Sequence, residues 1–177
     1  MPLRIFGYGS LMWRPAFPYA RRSSARVHGW SRRFYQGSTD HRGVPGAPGR
    51  VVTLVPEGGA QVFGVVYEVA DDDADVVLAR LDHREQGGYE RVELSAEFFG
   101  SDSTRSVDAL TYVATPRNDN YLGPASLEAI ARQIARARGP SGSNRDYLLS
   151  LADALSGLGA HDPHVAAIVR TLLEFEP

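Results

Sequence analysis

The chain has 177 residues, 43% hydrophobic and 23% charged, which are the proportions of an ordinary globular protein with enough length to bury one sizeable core. A formal net charge of -2 gives no reason to expect nucleic acid or an anionic membrane as a partner. There is no cysteine, which excludes disulfides, thiolate nucleophiles and cysteine-ligated metal centres.

From the N-terminus, Met1 to Ser10 has no basic region leading into an apolar one, and the twin arginine Arg21-Arg22 runs into the polar Ser23-Ser24-Ala25-Arg26. No apolar run is long enough to span a bilayer, so the expectation is a cytoplasmic protein. Arg4 to Tyr8 reads as a short strand ending in a glycine turn. Val51 to Val55 reads as a buried strand, and Gln61 to Val69 as another. A helix follows. Asp71 is its candidate cap, Asp72, Asp73 and Asp75 suit its positive end, and Ala74, Val77, Leu78 and Leu81 share a face. Arg91 to Phe99 alternates, with Val92, Leu94, Ala96 and Phe98 on one side, and Val107 to Ala114 is a further strand. Three helices complete the chain. The first carries Leu127, Ile130, Ala131, Ile134 and Ala135 and stops at Gly139-Pro140. The second has Asn144 as its candidate cap, with Leu148, Leu151, Ala152 and Leu155 inward. The third starts at Asp162-Pro163 and carries Val165, Ile168, Val169 and Leu172. No repeat or interdomain linker occurs, so residues 1–177 read as one α+β domain, a mainly antiparallel sheet or barrel with helices outside.

Gln36 to Arg50 (QGSTDHRGVPGAPGR) has no periodicity and reads as a functional loop, because structureless loops beyond about 12–15 residues are uncommon in compact domains. Its Ser38, Asp40 and His41 suggest a hydrolase triad, yet groups this close in one loop rarely align as nucleophile, base and orienter. No metal-ligand spacing is present. Phe6-Gly7-Tyr8-Gly9-Ser10-Leu11 places two glycines at a strand end. It is either an ordinary turn or a loop whose N–H groups approach a ligand, with positive φ permitted. Glu85 stands in a last helical turn, against the dipole, and is either a solvated surface residue or a functional one.

These pieces together resemble the ChaC-like γ-glutamylcyclotransferases. The similarity is carried by Phe6-Gly7-Tyr8-Gly9-Ser10-Leu11-Met12-Trp13, by Arg32-Arg33-Phe34 with Gly37-Ser38-Thr39-Asp40-His41-Arg42-Gly43, and by Pro48-Gly49-Arg50-Val51-Val52-Thr53-Leu54. It continues through Leu81-Asp82, Arg84-Glu85, Gly87-Gly88-Tyr89, Asn120-Tyr121-Leu122-Gly123-Pro124, Gly139-Pro140-Ser141-Gly142, Asn144 and Tyr147-Leu148. His83 occupies a position that is often aromatic in that family, and the tail after Val169 carries no motif. The resemblance implies a small mixed β-barrel flanked by helices. It implies conversion of glutathione to 5-oxoproline and cysteinylglycine, without metal or organic cofactor. It assigns the acid/base role to Glu85 and substrate binding to Ile5, Phe6, Gly7, Tyr8, Gly9 and Ser10. The wider pocket is expected to draw on Leu11, Ser38, Asp40, Arg42, Arg50, Tyr89, Tyr112 and Tyr121. Arg42 or Arg50 is the candidate to pair with a substrate carboxylate, or else to anchor the loop. The chemistry is consistent with the residues, because the substrate's own α-amine attacks its γ-carbonyl and no protein nucleophile is needed. Burial beside Tyr89 or the glycine loop is expected to raise the pKa of Glu85. Another γ-glutamyl amine as substrate, a non-catalytic γ-glutamyl-ligand module and a hydrolase using Ser38 and His41 are the alternatives. Oligomeric state is left open, a monomer included.

Overall fold

Period-two apolar patterning and a run of β-branched residues build five strands, which in the computed structural model close on one another. The structure describes residues 2–85, 87–100 and 105–175. Gln86, beside the Glu85 motif, and the extreme ends of the 1–177 domain expectation lie outside them. Strands β1 (Leu3–Gly7), β2 (Arg21–Ser38), β3 (Gly49–Val69), β4 (Glu90–Phe98) and β5 (Ser106–Val113) form a closed barrel in the order β1-β3-β2-β4-β5. The pairings are antiparallel except between β1 and β5, which meet in parallel at Ile5 and Leu110, so the barrel is mixed, as expected. Each of the five strands is paired with a neighbour on both sides, so none is an edge strand of the barrel.

Two expectations about strands need correction. β2 has no counterpart in the sequence reading, because its alternation is interrupted twice. Register shifts fall between His28 and Trp30, where Gly29 has φ 80°, and between Arg33 and Gln36. The two strands read at 51–55 and 61–69 are one strand, β3, continuing through an exposed stretch at 56–59 that the apolar pattern could not bridge. As a result the 36–50 loop shortens to residues 39–48 between β2 and β3.

Helix α1 (Ala74–Arg84) buries Val77 and Leu81. Asp71 does not cap it. Asp71–Asp73 form a 3-10 turn, and the helix starts at Ala74 without a side-chain capping bond. Helices α2 (Leu127–Arg136), α3 (Asn144–Gly157) and α4 (Pro163–Glu174) bury Ile130, Ile134, Leu148, Leu151, Ile168 and Leu172 in one cluster with the barrel residues. Each such side chain contributes about 1.5–3 kcal/mol. Leu127 and Ala135, assigned to the apolar stripe of α2, are exposed. Asp162 caps α4 as expected, accepting from Val165 N–H at 3.1 Å with proline next in the chain.

Asn144 is a further correction. Ser143 caps α3, while the fully buried Asn144 side chain pairs with the backbone of Arg50, accepting its N–H at 2.7 Å and donating to its carbonyl at 2.7 Å. It thereby fixes the start of β3. The 39–48 loop is held in the same manner by close backbone crossings. A Cβ on Gly43 would lie 2.1 Å from Gly49 N, and one on Gly139 would lie 2.3 Å from His41 O. Only glycine permits the loop to seat on the β6 (Arg138–Gly139) and β7 (Gly142–Ser143) hairpin, where Ser141 N–H donates to His41 O at 2.9 Å.

Candidate active site

At the barrel end where β1 finishes and β3 begins, a cavity of about 410 Å³ opens. This is within the range of small-molecule sites. Its wall comes from the 8–14 turn, the end of β2 and its loop, the end of α1, and α3. Of the residues assigned from sequence, Phe6, Tyr8, Gly9, Ser10, Leu11, Ser38, Asp40, Arg42, Glu85, Tyr89 and Tyr112 line it.

Four do not. Ile5 is fully buried in the barrel core, and Gly7 is paired with Val65 inside the sheet. Tyr121 stacks edge-on against Tyr35, with centroids 6.5 Å apart. Arg50 is a structural anchor. Its guanidinium donates to Gln133 Oε1 at 2.7 Å, Phe34 O at 2.8 Å and Gly123 O at 3.0 Å, so it is not available to a substrate carboxylate.

The glycine loop is required for space. Neither Gly7 nor Gly9 has a positive φ. A Cβ on Gly7 would lie 2.9 Å from Leu11 Cβ, and one on Gly9 would lie 3.1 Å from both Tyr147 Oη and Val52 Cγ2. Buried side chains fix the loop from behind. Arg32 donates to Tyr8 O at 2.9 Å and is itself ion-paired with Asp162 at 2.6 Å. Tyr67 donates to Leu11 O at 2.6 Å.

Glu85 caps the C-terminal end of α1, its N–H returning to Leu81 O at 2.9 Å. Its side chain retains only 18% exposure. Burial raises its pKa, the Arg84 charge opposes that rise, and Asp40 adds to it. Arg84 links the carboxylate to the glycine loop: Nε lies 3.6 Å from Glu85 Oε1, and Nη2 donates to Ser10 Oγ at 2.6 Å. The phenols nearby stay protonated, since burial pushes Tyr8 and Tyr89 upward, the nearby Glu85 charge adding to both. Asn118 donates to Gly87 O at 2.7 Å and accepts from Gln36 Nε2 at 3.0 Å, tying the turn after Glu85 to β2.

The triad does not assemble. Ser38 Oγ accepts from Arg42 N–H at 2.9 Å, whereas His41 Nδ1 is paired with Ser141 Oγ at 2.9 Å. Among the described residues no group of three or more His, Asp or Glu stands together as a metal site. Arg42 and Arg14 both line the cavity, and burial followed by the Arg14 charge lowers the pKa of Arg42. Arg84, Trp13, Asn120 and Tyr147 also line the cavity. All four stand in the motifs quoted above, but nothing local in the sequence assigned them a role.

A family model described as ChaC-like protein matches residues 3–174. The chain is 49% identical over 172 residues to glutathione-specific γ-glutamylcyclotransferase 1 of Homo sapiens, covering 94% of this chain and 77% of that one. It is 44% identical to γ-glutamylcyclotransferase 2-3 of Arabidopsis thaliana, covering 93% and 85%. The crystal structure of a glutathione-specific γ-glutamylcyclotransferase from yeast superposes with a TM-score of 0.91 at 30% identity, over 98% of this chain and 96% of that one.

Proposed function

The chain belongs to the ChaC-like family, and from that membership we propose that it is a glutathione-specific γ-glutamylcyclotransferase, cyclising the γ-glutamyl group of glutathione to release 5-oxoproline and cysteinylglycine. The observation that carries the proposal is Glu85, a largely buried carboxylate with a raised pKa, facing the cavity and joined to the glycine loop through Arg84. A raised pKa brings its base and acid forms closer in population, which suits a group that must first take a proton and then return it.

The reaction balances without water or a protein nucleophile. The substrate's α-amine loses a proton to Glu85 and its lone pair forms a bond to the γ-carbon, while the carbonyl π pair moves onto oxygen. That pair then returns, the bond to the cysteinyl nitrogen breaks, and Glu85 gives its proton to the departing amine. Well-oriented intramolecular attack reaches effective molarities of about 10⁵–10⁸ M, so positioning supplies much of the rate. The N–H groups of the Gly9 and Ser10 turn are the proposed oxyanion or carboxylate donors. Arg42, supported by Arg14, is the proposed partner of a substrate carboxylate. The proposal takes residues 1–177 as one catalytic domain, supported by a single core cluster from β1 to α4. It takes the cytoplasm as the compartment, whose thiol pool is glutathione. The test is 5-oxoproline release from glutathione, compared with γ-glutamyl-amino acids, by wild type and by Glu85→Gln. Turnover of glutathione that is lost in the variant supports the reading. Tight binding without turnover, or preference for the amino-acid conjugates, overturns it.

A further inference from the structure

Tyr147 lies on α3, far in sequence from the glycine loop and from Glu85, yet its phenol lines the same cavity. The ring is held by an edge contact with Trp13 at 5.4 Å and another with Phe34 at 6.0 Å, and Arg42 lies 5.8 Å from its centroid. These contacts leave the hydroxyl little freedom. The Gly9 Cβ position is 3.1 Å from the hydroxyl oxygen, so the phenol stands directly against the loop that receives the substrate.

The hydrogen-bond accounting is unusual for a buried tyrosine. Val52 N–H donates to the hydroxyl oxygen at 3.4 Å, which uses one acceptor site. No acceptor for the phenol's own proton is found among the described residues. Two other phenols of the cavity have committed theirs: Tyr8 donates to Tyr112 O at 2.7 Å, and Tyr112 donates to Asp82 Oδ1 at 2.6 Å. A buried donor without an acceptor is costly, and a ligand oxygen at this position removes that cost.

We propose that Tyr147 is a further catalytic residue, donating a hydrogen bond to the oxyanion that forms on the γ-carbonyl oxygen. This rests on the cyclotransferase reading above. Tyr147 keeps its proton throughout, so the proton balance between Glu85 and the two amines is unchanged. Burial pushes its pKa up to about 12, which keeps the phenol a donor across the neutral range. The Arg32, Arg84 and Arg42 charges act in the opposite sense and strengthen it as a donor.

The experiment measures 5-oxoproline release from glutathione by wild type and Tyr147→Phe, per folded molecule. Loss of a single oxyanion donor costs about 10²–10³-fold in kcat, so a fall of about 10²-fold with KM nearly unchanged is expected. The ring contacts remain, but Val52 N–H loses its acceptor, so a modest fall in melting temperature is expected and activity is read per folded molecule. An active wild type with kcat in Tyr147→Phe above about half of normal overturns the role of Tyr147 alone. So does a raised KM at unchanged kcat, which would mean that the hydroxyl holds the ground state. A wild type that does not turn over glutathione overturns the cyclotransferase reading and this inference with it. Should the Phe variant fail to fold, a fluorinated tyrosine at position 147, ionising at lower pH, should add an alkaline fall in kcat that wild type lacks. Absence of that fall overturns the proposal.

Discussion

His164 offers a quantitative test of how the wall of the site is held. Its Nε2 accepts the N–H of Phe34 at 3.1 Å, and the ring lies 6.0 Å from Phe34 and 6.2 Å from Tyr35, next to the β2 residues that border the cavity. Burial lowers its pKa from the usual 6.5 to about 4, Arg33 and Arg32 lowering it further and Asp162 opposing. The folded state therefore resists a proton that the unfolded chain accepts. The stabilising effect of neutral His164 is complete above about pH 6.5 and is lost as pH falls toward about 4. At 1.36 kcal/mol per unit, the loss between about pH 7.5 and pH 5 is roughly 2 kcal/mol, and somewhat less because the ring is partly exposed. Urea melts of wild type and His164→Gln at both pH values isolate this effect from the other titrating groups. Wild type should lose more stability than the variant by about that amount. Parallel pH dependence in the two proteins would refute the reasoning, as would an imidazole NMR titration centred near its usual value.

Glu85→Gln should lower kcat by about 10²–10⁴-fold. Since burial raises the pKa of Glu85, its ionised form penalises the fold above the ordinary carboxylate pKa, so the same variant should melt no lower than wild type near pH 8, by calorimetry. A melting point several degrees lower would show that the carboxylate is a structural partner. Arg84→Gln removes the charge that restrains the Glu85 pKa, so the acid limb of the kcat profile should move to higher pH; movement to lower pH contradicts the assigned cause. Gly9→Val would press a branched side chain toward Tyr147 Oη and Val52, so 5-oxoproline release per folded molecule should fall at least about tenfold. Near-normal activity of the folded fraction would reduce the glycine loop to an ordinary turn.

The sequence was most legible where the physics is local. Apolar periodicity located α1 to α4, β1, β4 and β5, and Asp162-Pro163 marked a helix start that the structure retains. Where a pattern depended on distant partners it misled. β2 escaped notice because two irregularities switch its buried face, and because its buried positions include the polar Ser31, Arg32, Gln36 and Ser38. Arg50 and Asn144 illustrate the same limit. An arginine in a loop and an asparagine before a helix have ordinary local explanations, as a ligand for anions and as a cap. Their actual partners lie 16 to 94 residues away in the sequence. Ser38, Asp40 and His41 are adjacent in sequence, yet the structure sends Ser38 and His41 to different partners.

Those long-range polar contacts have a common geometry. Three of the segments that line the cavity have their backbone held by a side chain from elsewhere: the 8–14 turn at Tyr8 O by Arg32 and at Leu11 O by Tyr67, the start of β3 at Arg50 by Asn144, and the turn after Glu85 at Gly87 O by Asn118. Arg32 and Asn144 are almost wholly removed from solvent, and burying such groups is worthwhile only when their partners are complete. For the proposed cyclisation the nucleophile, the electrophile and the leaving group all belong to the substrate. The protein's contribution is then mainly to orient one flexible molecule and to keep one carboxylate and a few donors in register with it. An ångström of slack in the glycine loop or in the Glu85 turn would cost such a reaction about two orders of magnitude. The polar contacts that hold the backbone are therefore as much a part of the chemistry as the residues that face the substrate.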